Sequence, residues 1–337
     1  MSKIARRDFK VRTVDGVNIA VREVCPEPHV PGKTPMVLMH GTRIPGISEY
    51  DLPAPGGSLA ETLALAGHTC FIPDARGFGG SDRPSEMDED PSQSRPLVRS
   101  IEIVRDIDAA VDELRRTTGS ERVGLMGWGV GATVVLMYAA FWPEKVSHLV
   151  LYNVLYGGVE GHARYRDHPL EDPARPGHFN QAHYGGYSLN DPDMLMTKWA
   201  QSIPVEDKDS WRDPKVAEAF RQALIDGDPA STNHEPPRYR SPNGMLEDSF
   251  YMGRGVKLIH ASQVYCDVLI MRPQLDYFSR PGDVKALVAD LVNSPRVETW
   301  EPENMTHFVI VDRDSAGRAE AVNRILTFIG NNTEEDS

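Results

Sequence analysis

The chain has 337 residues, 40% apolar and 25% charged, a composition that fits one large globular α/β domain with an insertion. A net charge of −13 with no basic tract argues against nucleic acid and anionic membranes as partners. Cys25, Cys70 and Cys266 do not cluster. No run nears the ~18 apolar residues of a spanning helix, and no apolar segment follows Arg6-Arg7 to form a signal peptide. Reduced thiols in a cytoplasmic protein are therefore expected.

In chain order, residues 9–25 alternate in character around the turn Asp15-Gly16, which predicts a β-hairpin. "PMVLMH" (35–40) and "TCFIPDA" (69–75) are continuous apolar runs suited to strands buried on both faces, with a helix over 59–68 between them. Val98, Ile101, Val104, Ile107, Val111 and Leu114 recur at helical spacing. "RVGLMG" (122–127) predicts a strand, 131–141 a helix and 147–154 another strand. Buried strands alternating with helices predict a parallel sheet covered on both faces.

Composition shifts near Tyr156 and reverts near Ala261. The intervening stretch is rich in Gly, Pro, His and Tyr, and Asp191-Pro192 and Asp213-Pro214 each pair a capping Asp with a first-turn proline. This predicts a core over 1–155, a mainly helical insertion over 156–262, and a core resuming over 263–330. The resumed core reads as a strand at 266–273, a helix near 282–293, a strand at 296–301 and a closing helix near 315–330. The tail 331–337 is expected to be disordered. Six of the eleven histidines (His162, His168, His178, His183, His234, His260) fall in the insertion, and their spacings match no standard metal site.

Five stretches in order resemble the α/β-hydrolase fold family. They are "LMHGTRIPG", "IPDARGFGGSDRP", "GWGVGA", "MRPQLDYFS" and "NMTHFVIVDR". The resemblance implies a mostly parallel sheet flanked by helices with an inserted cap. It also implies an oxyanion loop at His40-Gly41-Thr42, a nucleophile elbow at Gly129, a triad acid at Asp276 and a catalytic histidine at His307. Asp283 competes for the acid role. Residues just past the ends of parallel strands converge on one rim of a sheet, so these distant positions are able to meet. An Asp on one imidazole nitrogen leaves the other as base. The amides of Thr42 and Val130 are the expected oxyanion donors. His40, Gly41, Trp128, Tyr165, His183 and Tyr184 are candidate substrate contacts, while Asp74, Arg76 and Ser81 read as loop braces.

Gly129 departs from the family at its decisive position, where serine, aspartate or cysteine usually stands. Three explanations stay open. His307 and Asp276 act on water or on a substrate proton without a nucleophile; a serine hydrolase has been disabled at this position; or a retired scaffold binds a ligand without turnover. Thr133, one turn into the helix, is expected to point away and cannot substitute. The expected partner is a small carbonyl compound (an ester, thioester, lactone or β-dicarbonyl), with no cofactor and no metal. Lyase, isomerase and cofactor-free chemistry on the same scaffold is the alternative.

Overall fold

The computed structural model describes residues 3–163 and 169–330. Tyr165, His168 and the tail 331–337 lie outside the described residues. Strands β1 (Lys3–Arg12) and β2 (Asn18–Glu27) pair antiparallel about Asp15-Gly16. The hairpin starts earlier than its alternation predicts, because the first half of β1 is largely exposed and charged.

The chain continues through β3 (Met36–Met39), α1 (Gly46–Tyr50), α2 (Leu59–Leu65), β4 (Cys70–Pro73), α3 (Ser100–Thr118), β5 (Val123–Trp128), α4 (Val130–Phe141) and β6 (Val146–Tyr152). After an inserted stretch come β9 (Asp267–Met271), α9 (Pro281–Asp290), β10 (Val297–Trp300) and α10 (Arg318–Gly330). Eight strands form one sheet in the order β1-β2-β4-β3-β5-β6-β9-β10. It is parallel from β4 to β10, and β1 and β2 run antiparallel at its edge.

β5 shows why the predicted strands read as unbroken apolar runs. Val123 and Leu125 belong to the core beneath α3 and α4, while Met126 and Trp128 belong to the core shared with α2 and α10. Successive side chains point to opposite faces, so a strand covered on both sides is apolar throughout. Helix α3 ends at Gly119, whose φ of +73° supplies a left-handed cap.

The inserted stretch holds α5 (Gln181–Tyr184), β7 (Tyr187–Asn190), α6 (Pro192–Ser202), α7 (Pro214–Asp226), β8 (Tyr239–Pro242) and α8 (Gly244–Gly253). The caps of α6 and α7 are the two expected aspartates: Asp191 accepts from Asp193 N at 2.9 Å and Asp213 from Lys215 N at 2.8 Å. The antiparallel β7–β8 pair was not expected. Among the described residues no helix is long and apolar enough to cross a membrane, and no group of three or more His, Cys, Asp or Glu is arranged to hold a metal ion.

Candidate active site

The turn between β5 and α4 is a single residue, Gly129, at φ +60° and ψ −120°. Its N–H donates to Tyr152 O at 2.9 Å. The flanking glycines answer to packing. A Cβ on Gly127 would stand 2.4 Å from Gly131 O, and one on Gly131 only 2.2 Å from His40 O. The first turn of α4 therefore crosses backbone against backbone. Gly129 is different: a Cβ there would meet only the Phe278 ring, at 3.7 Å. The elbow keeps its shape and has room for the side chain it lacks.

His307 and Asp276 come together beside this turn. Asp276 Oδ1 lies 2.6 Å from His307 Nδ1. Asp276 also accepts from Phe278 N at 3.0 Å and Ser279 N at 2.8 Å, and its side chain is fully buried. The loops carrying the two residues are bridged in parallel at Leu275 and Thr306, with Leu275 N donating to Met305 O at 3.0 Å. The His307 carbonyl accepts from Tyr152 Oη at 2.6 Å and Asn153 Nδ2 at 2.8 Å. Asn153 sits at φ +54°, in the left-handed region that asparagine tolerates best among non-glycine residues. Asp283 is not the partner: it binds Arg280, by Nε at 2.6 Å and Nη2 at 2.9 Å.

The other imidazole nitrogen is engaged too. Trp128 Nε1 donates to His307 Nε2 at 3.0 Å. An indole N–H can only donate, so Nε2 is an acceptor and the ring proton sits on Nδ1, facing Asp276. The tautomer suits a base at Nε2, and the indole occupies that base in this structure.

Farther along the same loop, Thr306 Oγ1 donates to Asp312 Oδ2 at 2.7 Å, and Trp199 Nε1 of α6 donates to Asp312 Oδ1 at 2.8 Å. Burial pushes the Asp312 carboxyl up to about 6.

The loop after β3 forms the opposite wall. His40 Nδ1 donates to Gly41 O at 2.8 Å and Nε2 accepts from Ala75 N at 3.0 Å, so this ring braces the loop from behind. Burial lowers its pKa, which favours the neutral ring those two bonds require. Gly41 N donates to Glu49 Oε2 at 2.9 Å. The amides of Thr42 and Val130 have no acceptor among the described residues. Asp74 accepts from Gly46 N at 2.8 Å and Gly80 N at 3.0 Å, and Arg76 pairs with Asp106 and Asp15. Ser81 Oγ bonds to Asp74 O at 2.6 Å and Thr133 Oγ1 to Leu155 O at 2.8 Å, so both hydroxyls are used within the fold.

These walls enclose a cavity with a free volume of about 70 Å³. Of the expected contacts, Gly41, Thr42, Trp128, Gly129, Val130 and His307 line it, with Asp276 directly behind His307. His40 does not line it, since both ring nitrogens are spent on backbone. His183 is exposed on α5, and Tyr184 packs on Phe179 at a centroid distance of 5.3 Å; neither borders the cavity. Composition drew attention to that segment but did not say which of its residues turn inward. From the insertion it is Leu195 and Lys198 of α6, Phe220 of α7, and Leu246 and Ser249 of α8 that reach the cavity. Sequence reasoning also missed Arg43, Glu49, Tyr277 and Phe278. The last two directly follow Asp276, which was the available signal for them.

Residues 34–180 match a family model described as alpha/beta hydrolase fold. The human protein named lipase member M is 23% identical over 151 residues, covering 44% of this chain and 36% of its own length. Epoxide hydrolase 3 of Siraitia grosvenorii is 31% identical over 94 residues, covering 28% of this chain and 26% of its own. The chain thus spans well under two thirds of these curated relatives. Among solved structures, an E-2-(acetamidomethylene)succinate hydrolase superposes with a TM-score of 0.61 at 18% identity, covering 97% of this chain and 100% of that one.

Proposed function

Because this chain has the α/β-hydrolase fold, we propose that it is an enzyme acting on a small carbonyl substrate, an ester, thioester, lactone or β-dicarbonyl, without a covalent intermediate. The observation that carries this is the 2.6 Å His307–Asp276 pair beside an elbow that retains its backbone and lacks a nucleophile. The similarity to a lipase and to hydrolases supports the reaction class. The segment 156–262 serves as a cap over the cavity, the location is cytoplasmic, and no cofactor is called for.

In this reading a water sits over Gly129, in the space a serine side chain would fill. Its O–H displaces the Trp128 indole from His307 Nε2. As the water oxygen bonds to the carbonyl carbon, its proton passes to Nε2 and the carbonyl π pair moves onto oxygen. The Thr42 and Val130 amides receive that oxyanion, one such donor being worth roughly 3–4 kcal/mol in a transition state. Collapse expels the leaving group, which takes the proton back from His307. Asp276 holds the tautomer and stabilises the imidazolium in between. With a β-dicarbonyl the same base removes the proton between the two carbonyls, and the amides hold the enolate.

The Trp128–His307 bond favours a second reading, a ligand-binding protein whose base is permanently capped. Turnover and binding of the same esters, thioesters and lactones by wild type and His307→Ala separate the two. Turnover lost in the variant supports the enzyme. Binding without turnover in both proteins supports the binding module.

A further inference from the structure

The carboxyl of Glu49 lines the cavity and takes no part in the proposed hydrolysis. Glu49 lies in α1, is 2% exposed, and lines the same cavity as Gly129 and His307. Among the described residues it makes one hydrogen bond, accepting from Gly41 N through Oε2. Its other oxygen, Oε1, has no hydrogen-bond partner among the described residues, and no Lys, Arg or His there forms an ion pair with it. The other buried glutamates differ: Glu23 is paired with Arg7 and Glu247 with Arg99. Oε1 is close to the elbow, since a Cβ on Gly41 would stand 3.2 Å from it and 3.0 Å from the Trp128 carbonyl oxygen.

An ionised carboxylate buried with one backbone donor and no cation is strongly disfavoured. Burial accordingly raises the Glu49 carboxyl well above the ordinary range. A neutral carboxylic acid carries an O–H that needs an acceptor, and Glu49 lines a cavity in which a ligand oxygen can supply one.

We propose that Glu49 is a proton-bearing ligand contact of this cavity, donating its O–H to the oxygen of a bound carbonyl or carboxylate beside the Thr42 and Val130 amides. The proposal rests on the reading that the cavity takes a carbonyl ligand, but it does not require turnover. It makes the cavity selective for compounds with a strong oxygen acceptor at the reacting end. It also gives the oxyanion a third donor, one whose proton is available only while Glu49 stays neutral.

Infrared spectroscopy tests this at pH 7 with acetate and acetamide as probes. The wild type should show a carboxylic-acid carbonyl band that is absent from Glu49→Gln, and either probe should shift it to lower frequency. Glutamate-specific ¹³C labelling of the wild type assigns the band without a variant, should Glu49→Gln not fold. No acid band at pH 7, or a band that neither probe moves, overturns the proposal. Because the readout is independent of catalysis, a protein that binds acetate but hydrolyses nothing refutes the enzyme reading and leaves this one standing.

Discussion

Alanine placed in turn at Gly127, Gly129 and Gly131 should separate the glycines the fold needs from the one it does not. At Gly131 the new Cβ would lie 2.2 Å from His40 O and 2.7 Å from Met39 O, both backbone atoms that cannot rotate away. Helix α4 must then lift off β3, at or beyond the ~3 kcal/mol upper range of ordinary overpacking. Gly127 is equivalent, with Gly131 O at 2.4 Å and Ala132 N at 2.5 Å. At Gly129 the nearest atom is 3.7 Å away, so only the backbone strain at φ +60° counts. Such strain costs roughly 1–3 kcal/mol, offset by about 0.4–1 kcal/mol from the stiffer unfolded chain. With an unfolding entropy of about 2.1 cal/mol/K per residue, 1 kcal/mol shifts the Tm of a chain this long by about 1–2 °C. Thermal denaturation should show Gly129→Ala within about 4 °C of wild type, and Gly127→Ala and Gly131→Ala either much lower or insoluble. Equal losses at all three positions would refute the packing argument.

Asp276→Asn should lower kcat by roughly 10⁴, the scale for losing the carboxylate behind a catalytic histidine. It should also cost about 1–3 kcal/mol in denaturant titration, because the amide cannot accept from both Phe278 N and Ser279 N. Trp128→Phe removes the donor on His307 Nε2. Turnover should rise about two- to tenfold, the worth of one net hydrogen bond, and a fall would mean that the indole N–H serves the ligand. Asp312 is pushed up to about 6, chiefly by burial, against an unfolded value of about 3.9. Its native form holds a proton that the unfolded chain has released, so stability should fall as pH rises from about 4 to about 6, by up to about 3 kcal/mol. Asp312→Asn should flatten that fall in urea midpoints, and an unchanged slope would count against the assignment. An aromatic disulfide reagent should label half-buried Cys25 in the folded protein and reach the buried Cys70 and Cys266 only after unfolding.

The core was legible because parallel strands buried on both faces are apolar throughout, and because Asp-Pro pairs announce the starts of α6 and α7. The β7–β8 pair was not. Its strands have four residues each and meet across some fifty residues of chain, with no hairpin turn to mark them. His307 and Asp276 were singled out by the resemblance of their flanking stretches to the family, and their meeting follows from strand ends sharing a rim. The Trp128–His307 bond depends on how an indole is turned by its packing, which no local pattern encodes. Glu49 sits in a five-residue helix, Gly46–Tyr50, too short to show a helical periodicity in the sequence. Its burial follows from its packing against the loop after β3, where Gly41 N donates to it.

The most direct test of catalysis without a nucleophile sets wild type beside Gly129→Ser against p-nitrophenyl acetate, an acyl thioester and a lactone. Product formation and intact protein mass are followed from the first turnover. Direct water activation predicts that the wild type turns over linearly, with no acyl adduct, and that His307→Ala abolishes the activity. Turnover confined to the serine form, with an acyl adduct on the protein, would contradict it and identify Gly129 as the lesion of a serine hydrolase.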